Sequence, residues 1–208
     1  MLPVTLYGSV RSSYVQTALW MCEEKGVAYC NEPLAIGSDA HLALNPYGKI
    51  PVMKHQGVCL YETLAICVYL NEQFPGPDLF PPELIQQARM MQWVSAFNTE
   101  IYPKLTRNWL FPALGIRDQD PKAFAKAPQE ARALLMPMEQ VLGEGAYLAG
   151  DSLTLADLFL LPLLRYCQGL PGGPEMMAEL PALAQWFAVN SRRAGAEAVW
   201  QRIEDENP

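Results

Sequence analysis

Residues 75–82 read Pro-Gly-Pro-Asp-Leu-Phe-Pro-Pro, five prolines or glycines in eight positions. Proline has no N–H to donate and clashes with the preceding turn, so neither a helix nor a central strand runs through such a stretch. It is therefore a linker, and it separates two segments of different character. Residues 1–74 carry short apolar runs bounded by turn residues, the pattern of strands, whereas no convincing strand follows Glu83. Beyond the linker, apolar spacing predicts helices near 83–111, 122–143, 154–169, 181–191 and 195–203, with Pro103, Pro112 and Pro162 each expected to kink or end a helix. At 208 residues the chain is long enough for each segment to bury a core. The expected domains are 1–74, a linker at 75–82, and an all-α domain at 83–208.

The first segment has a definite order. Val4 to Tyr7 is a strand stopped by Gly8, and Ser12 or Ser13 can cap a helix over roughly Tyr14 to Lys25, ended by Gly26. Val27 to Cys30 reads as a second strand, and a loop with Asp39 and His41 leads to Asn45. Val52 to Lys54 and Val58 to Leu60 form a hairpin around Gln56-Gly57, and Glu62-Thr63 opens an apolar helix reaching about Phe74. The order βαβ then ββα is thioredoxin-like by analogy.

Asn45 to Thr63 carries the most chemistry. Pro51 follows the turn signal Asn-Pro-Tyr-Gly at a strand entry. A cis Ile50–Pro51 bond would turn the Ile50 backbone outward, where it can pair with an extended peptide. The helix start at Glu62-Thr63 presents unpaired N–H groups suited to a carboxylate. In the second segment, Thr154 and Asp157 are spaced as a capping box ahead of the apolar run Leu158 to Leu164.

Together, N-P-Y-G-K-I-P, a hairpin, then E-T-x-A-I at a helix start resemble the glutathione-binding half of the cytosolic glutathione transferases, and the capped apolar helix resembles the core helix of their α-domain. The resemblance covers the whole chain and implies a glutathione transferase fold. L-Y-G-S-V-R-S-S resembles the serine-type members of zeta, theta or phi kind, including bacterial ones, above all the zeta class with its R-S-S followed by cysteine. Tyr14 stands in place of that cysteine, which speaks against zeta-class isomerase chemistry. By this resemblance Ser12 is the residue that stabilises the glutathione thiolate, with Ser13 beside it; Ser13 itself and Tyr7 remain rivals for the role. The resemblance also implies that Ser13, Lys49, Ile50, Pro51, Glu62 and Thr63 bind glutathione. The backbone of Ile50 meets the cysteinyl part, and Glu62 and Thr63 hold the γ-glutamyl end.

The chemistry so implied is a transfer. Glutathione is the co-substrate, its thiolate attacks a small hydrophobic electrophile, and the all-α domain contributes the electrophile's pocket, where Trp93, Phe97, Tyr102 and Trp109 are candidate lining residues. Alternatives are a glutathione-dependent isomerase or thiol reductase, or a binding or regulatory protein that keeps the fold without catalysis. A detoxifying role and a homodimer follow from the resemblance alone.

Composition narrows the partners. The net charge of −7 divides as −3 over residues 1–78 and −4 over the rest, so no basic patch invites nucleic acid or an anionic membrane. Five cysteines without a C-x-x-C pair suggest neither a disulfide framework nor a metal site, and no apolar run reaches the length of a membrane span. The expected location is cytoplasmic.

Overall fold

The computed structural model describes residues 3–205. By internal contacts the chain forms two compact units, residues 1–80 with 192–208, and residues 81–191.

In the first unit a four-stranded sheet runs in the order β2-β1-β3-β4, from β1 (Val4–Tyr7), β2 (Tyr29–Glu32), β3 (Val52–His55) and β4 (Val58–Tyr61). The helix α1 (Ser13–Lys25) returns the chain so that β2 lies parallel to β1, while β3 and β4 add antiparallel neighbours. The β3–β4 turn places Gln56 at φ 48° and Gly57 at φ 86°, the two positive angles a tight hairpin requires. Val4, Leu6 and Met53 are fully buried, as are Val15, Leu19 and Met21 of α1 and Ile66 and Leu70 of α3 (Thr63–Gln73), which packs against α1. The layered α/β arrangement is that of a thioredoxin-like domain.

Two local features differ from the sequence expectation. The second strand starts at Tyr29, not Val27, because the N–H groups of Gly26 and Val27 close the end of α1, bonding the carbonyls of Glu23 (3.1 Å) and Cys22 (2.8 Å). Asp39 and His41 lie not in a loop but in a short helix, α2 (Asp39–Leu44), whose cap is Ser38, with Oγ accepting the His41 N–H at 3.2 Å.

Residues 81–191 are helical: α4 (Leu84–Ala96), α5 (Tyr102–Leu105), α6 (Phe111–Ala113), α7 (Pro121–Glu144), α8 (Leu155–Gly169), α9 (Gly173–Ala178) and α10 (Pro181–Asn190). Among the described residues this unit has no strand, only an isolated bridge between Tyr147 and Gly150. Wide π turns at Phe97–Ile101 and Thr106–Leu110 interrupt the first run, and Pro103 and Pro112 each stand two residues beyond the end of one. A wider turn accommodates a residue that cannot donate to the ordinary ladder. Pro162 lies inside α8, which continues past it to Gly169.

The core of this unit is α8, buried from Leu155 to Leu164. Its capping box forms, centred on the Asp157 carboxylate, which accepts the N–H (2.9 Å) and hydroxyl (2.8 Å) of Thr154 and the N–H of Leu148 (3.1 Å).

The last helix, α11 (Ala194–Asp205), belongs by contact to the first unit, although chain order alone groups it with the second segment. It lies on α1. Arg193 forms a two-pronged ion pair with Glu24 (2.9 and 2.7 Å), and Gly195 sits so close to Trp20 that an added Cβ would lie 2.9 Å from the indole.

Candidate functional site

Strand register brings the separated sequence signals together. Tyr7 pairs with Val52, and Val52 with Tyr61, so one row across the sheet joins the end of β1, the start of β3 and the end of β4. Neighbouring strands are about 4.8 Å apart. The loop carrying Ser12, the segment Lys49-Ile50-Pro51 and the helix start Glu62-Thr63 therefore all leave the sheet at the same end. Gly8 draws two of them closer still: at φ 138°, a Cβ there would stand 2.9 Å from both Ile50 Cβ and Val15 Cγ2. Only glycine allows that approach.

Ser12 is the N-cap of α1, at φ −80° and ψ 123°, yet its side chain makes no capping hydrogen bond. Its backbone holds the turn instead, the N–H bonding Ser9 O (3.0 Å) and the carbonyl accepting Gln16 N–H (2.9 Å). A half-buried hydroxyl thus stands at the positive end of a 13-residue helix, placed to donate to an anion. Ser13 begins the helix proper and is buried. Tyr7 alternates with Leu6, and since Leu6 is wholly buried, the phenol projects from the opposite face of the sheet, under the Lys54 ammonium 5.7 Å from its ring centre. There it lines an open cavity of about 570 Å³ with Thr5, Lys54, Gln56 and Cys59.

The Ile50–Pro51 peptide bond is cis. Pro51 is buried, Ile50 half-buried and the Lys49 side chain exposed. Glu62 is the N-cap of α3, exposed, at φ 71° and ψ 119°, and its side chain makes no capping bond. A non-glycine residue in that region is disfavoured by roughly 1–3 kcal/mol, and such residues cluster at ligand-holding positions. Thr63 is the first residue of α3 and is buried.

Several supporting residues escaped the sequence. Gln16, fully buried, donates from Nε2 to Val10 O (2.8 Å) and so holds the serine loop from inside. Asn31 donates to the carbonyls of Leu6 (3.1 Å) and Gly8 (3.0 Å), fixing the end of β1. His41, which a loop position would leave exposed, is fully buried. A glutamine, an asparagine and a histidine carry no spacing signal: Asn31 reaches the end of a strand 23 to 25 residues back, and Gln16 and His41 reach the backbone of adjoining loops.

Of the candidate pocket aromatics, Phe97 and Trp109 are buried in the helical unit, Trp109 donating to Pro171 O (3.2 Å), and Trp93 donates to Leu148 O (3.0 Å). Phe97 and Trp109 serve the core of that unit, while Trp93 and Tyr102 are half-buried. Among the described residues, no group of three or more His, Cys, Asp or Glu is placed to hold a metal ion, and no helix is long and apolar enough to cross a membrane.

Residues 6–78 match the family model of the glutathione S-transferase N-terminal domain, and residues 85–193 that of the C-terminal domain. Glutathione S-transferase F10 of Arabidopsis thaliana is 29% identical over 96% of this chain and 95% of its own. Elongation factor 1-gamma of Drosophila melanogaster is 33% identical over 74% of this chain but only 35% of its own length. The theta class glutathione S-transferase of the citrus canker pathogen Xanthomonas axonopodis pv. citri, solved with glutathione bound, superposes with a TM-score of 0.80, 26% identical over 95% of this chain and 97% of that one.

Proposed function

The chain belongs to the glutathione S-transferase family and is a transferase enzyme of that family; from that premise we propose that it binds glutathione at the end of the sheet and stabilises the thiolate through Ser12. The free thiol has a pKa of about 8.5, so only a small fraction is ionised at neutral pH. A hydroxyl donor and a helix N-terminus both favour the anion. The Ser12 hydroxyl, unengaged by the helix it caps, is the observation that carries the proposal.

In this reading the Ile50 backbone pairs with the cysteinyl unit, and Glu62 and Thr63 at the head of α3 hold the γ-glutamyl end. Ser13 shapes the loop, and Lys49 lies toward the tripeptide. The thiolate then attacks a carbon bearing a leaving group, or an activated double bond, of a small hydrophobic electrophile; a C–S bond forms and the leaving group or the π electron pair departs. A cytoplasmic homodimer with a detoxifying role accords with the family.

Glutathione titrated into wild type and Ser12→Ala, with thiolate absorbance followed across about pH 5 to 9, tests the proposal. We expect wild type to lower the bound thiol's pKa and Ser12→Ala to return it toward the free value. A shift that survives the substitution assigns the role to Ser13 or Tyr7. An absence of binding at millimolar glutathione overturns the proposed glutathione site.

A further inference from the structure

We infer that His41 is a positioning residue for glutathione, acting through the Lys49–Ile50 peptide; the assignment rests on the reading of the site given above. His41 is fully buried on α2, and both its ring nitrogens are used. Nδ1 accepts the N–H of Gly37 at 3.0 Å. That nitrogen carries no proton, so Nε2 carries it and donates to the carbonyl of Lys49 at 3.1 Å. The same carbonyl receives a second hydrogen bond, from Asn45 Nδ2 at 2.8 Å. Asn45 is held in turn, its Oδ1 accepting the Tyr47 N–H (3.0 Å) and its backbone carbonyl the Gly48 N–H (2.9 Å).

The consequence follows from the planarity of the peptide group. The Lys49 carbonyl and the Ile50 N–H belong to one rigid unit, so two donors that fix the oxygen also fix the direction of the N–H. Ile50 is the residue whose backbone is assigned to the cysteinyl part of glutathione. His41 therefore touches no substrate, yet it aims the group that does. Its neutral form with a proton on Nε2 is the one that satisfies both neighbours. An apolar replacement would leave the Gly37 N–H without its acceptor and the Lys49 carbonyl with one donor. Glutamine, with one amide donor and one carbonyl acceptor, can restore both.

The test compares wild type, His41→Leu and His41→Gln by calorimetric glutathione binding and by steady-state kinetics with 1-chloro-2,4-dinitrobenzene. We expect His41→Leu to raise the Kd and KM for glutathione about tenfold, the loss of one well-placed hydrogen bond, with kcat at saturating glutathione held within about twofold. His41→Gln recovers most of the affinity. A long-range proton–nitrogen spectrum of wild type should show the Nε2–H tautomer, shifted on addition of glutathione. Unchanged affinity in His41→Leu, a glutamine variant no better than leucine, or an Nδ1–H tautomer overturns the assignment. Should His41→Leu fail to fold, the spectrum decides. Failure of wild type itself to bind glutathione instead removes the functional reading beneath it.

Discussion

Asp157 is wholly buried at the start of α8, and burial pushes its carboxyl up to about 6, against the opposing pull of hydrogen bonds from Leu148 and Thr154. In the unfolded chain the same group titrates at about 3.9. The folded state therefore holds the proton more tightly, and the stabilisation that protonation brings is fully present below about pH 3.9 and is lost as pH rises through about 6. Integrated from about pH 7.5 down to pH 4.5, the difference amounts to about 2 kcal/mol in favour of folding. Asp157→Asn removes the titration. Its amide keeps one oxygen for the donors of Leu148 or Thr154 and turns an NH2 toward the others, a penalty on the order of 1–3 kcal/mol that does not vary with pH. Other carboxylates titrate alike in both proteins and cancel in the difference. Urea unfolding at steps across that range should show wild type gaining about 2 kcal/mol on Asp157→Asn toward the acid end, or roughly 4–8 °C by thermal unfolding. Parallel curves would refute the idea that burial controls this carboxyl.

Two further outcomes follow from the geometry. Gly8→Ala places a Cβ 2.9 Å from Ile50 and Val15 at φ 138°, so stability in denaturant should fall by at least about 2 kcal/mol and the glutathione KM should rise; a neutral alanine variant would show that the close approach is not needed. Cys30 and Cys59 are exposed, whereas burial raises the thiol pKa of Cys22, Cys67 and Cys167, the last to about 12. A chromogenic disulfide should react quickly with two thiols in the native protein and with all five only after denaturation; a third fast thiol would contradict the packing of α1, α3 or α8.

The sequence alone made the main divisions legible, because their causes are local. Five prolines or glycines in eight residues stop any helix, Gln56-Gly57 turns a hairpin, Gly26 ends α1, and Thr154 with Asp157 announces α8, each within a few residues of its effect. The serine loop, Ile50-Pro51 and Glu62-Thr63 were visible as separate signals in the same way.

What tertiary structure decided is which of these signals meet, and in what state. Only the row Tyr7, Val52, Tyr61 puts the three segments at one end of the sheet, and only the approach of Gly8 to Ile50 joins two of them. The strand face on which Tyr7 emerges, the free hydroxyl of Ser12 and the positive φ of Glu62 depend on packing around them. The same holds for Asn31, which bonds the backbone of β1, and for Gln16 and His41, which bond backbone groups of adjoining loops that only the folded turns bring within reach. Propensity and spacing act along the chain, whereas a side chain's partner is set by which backbone comes within about 3 Å of it, and that distance exists only once the sheet and its helices have closed.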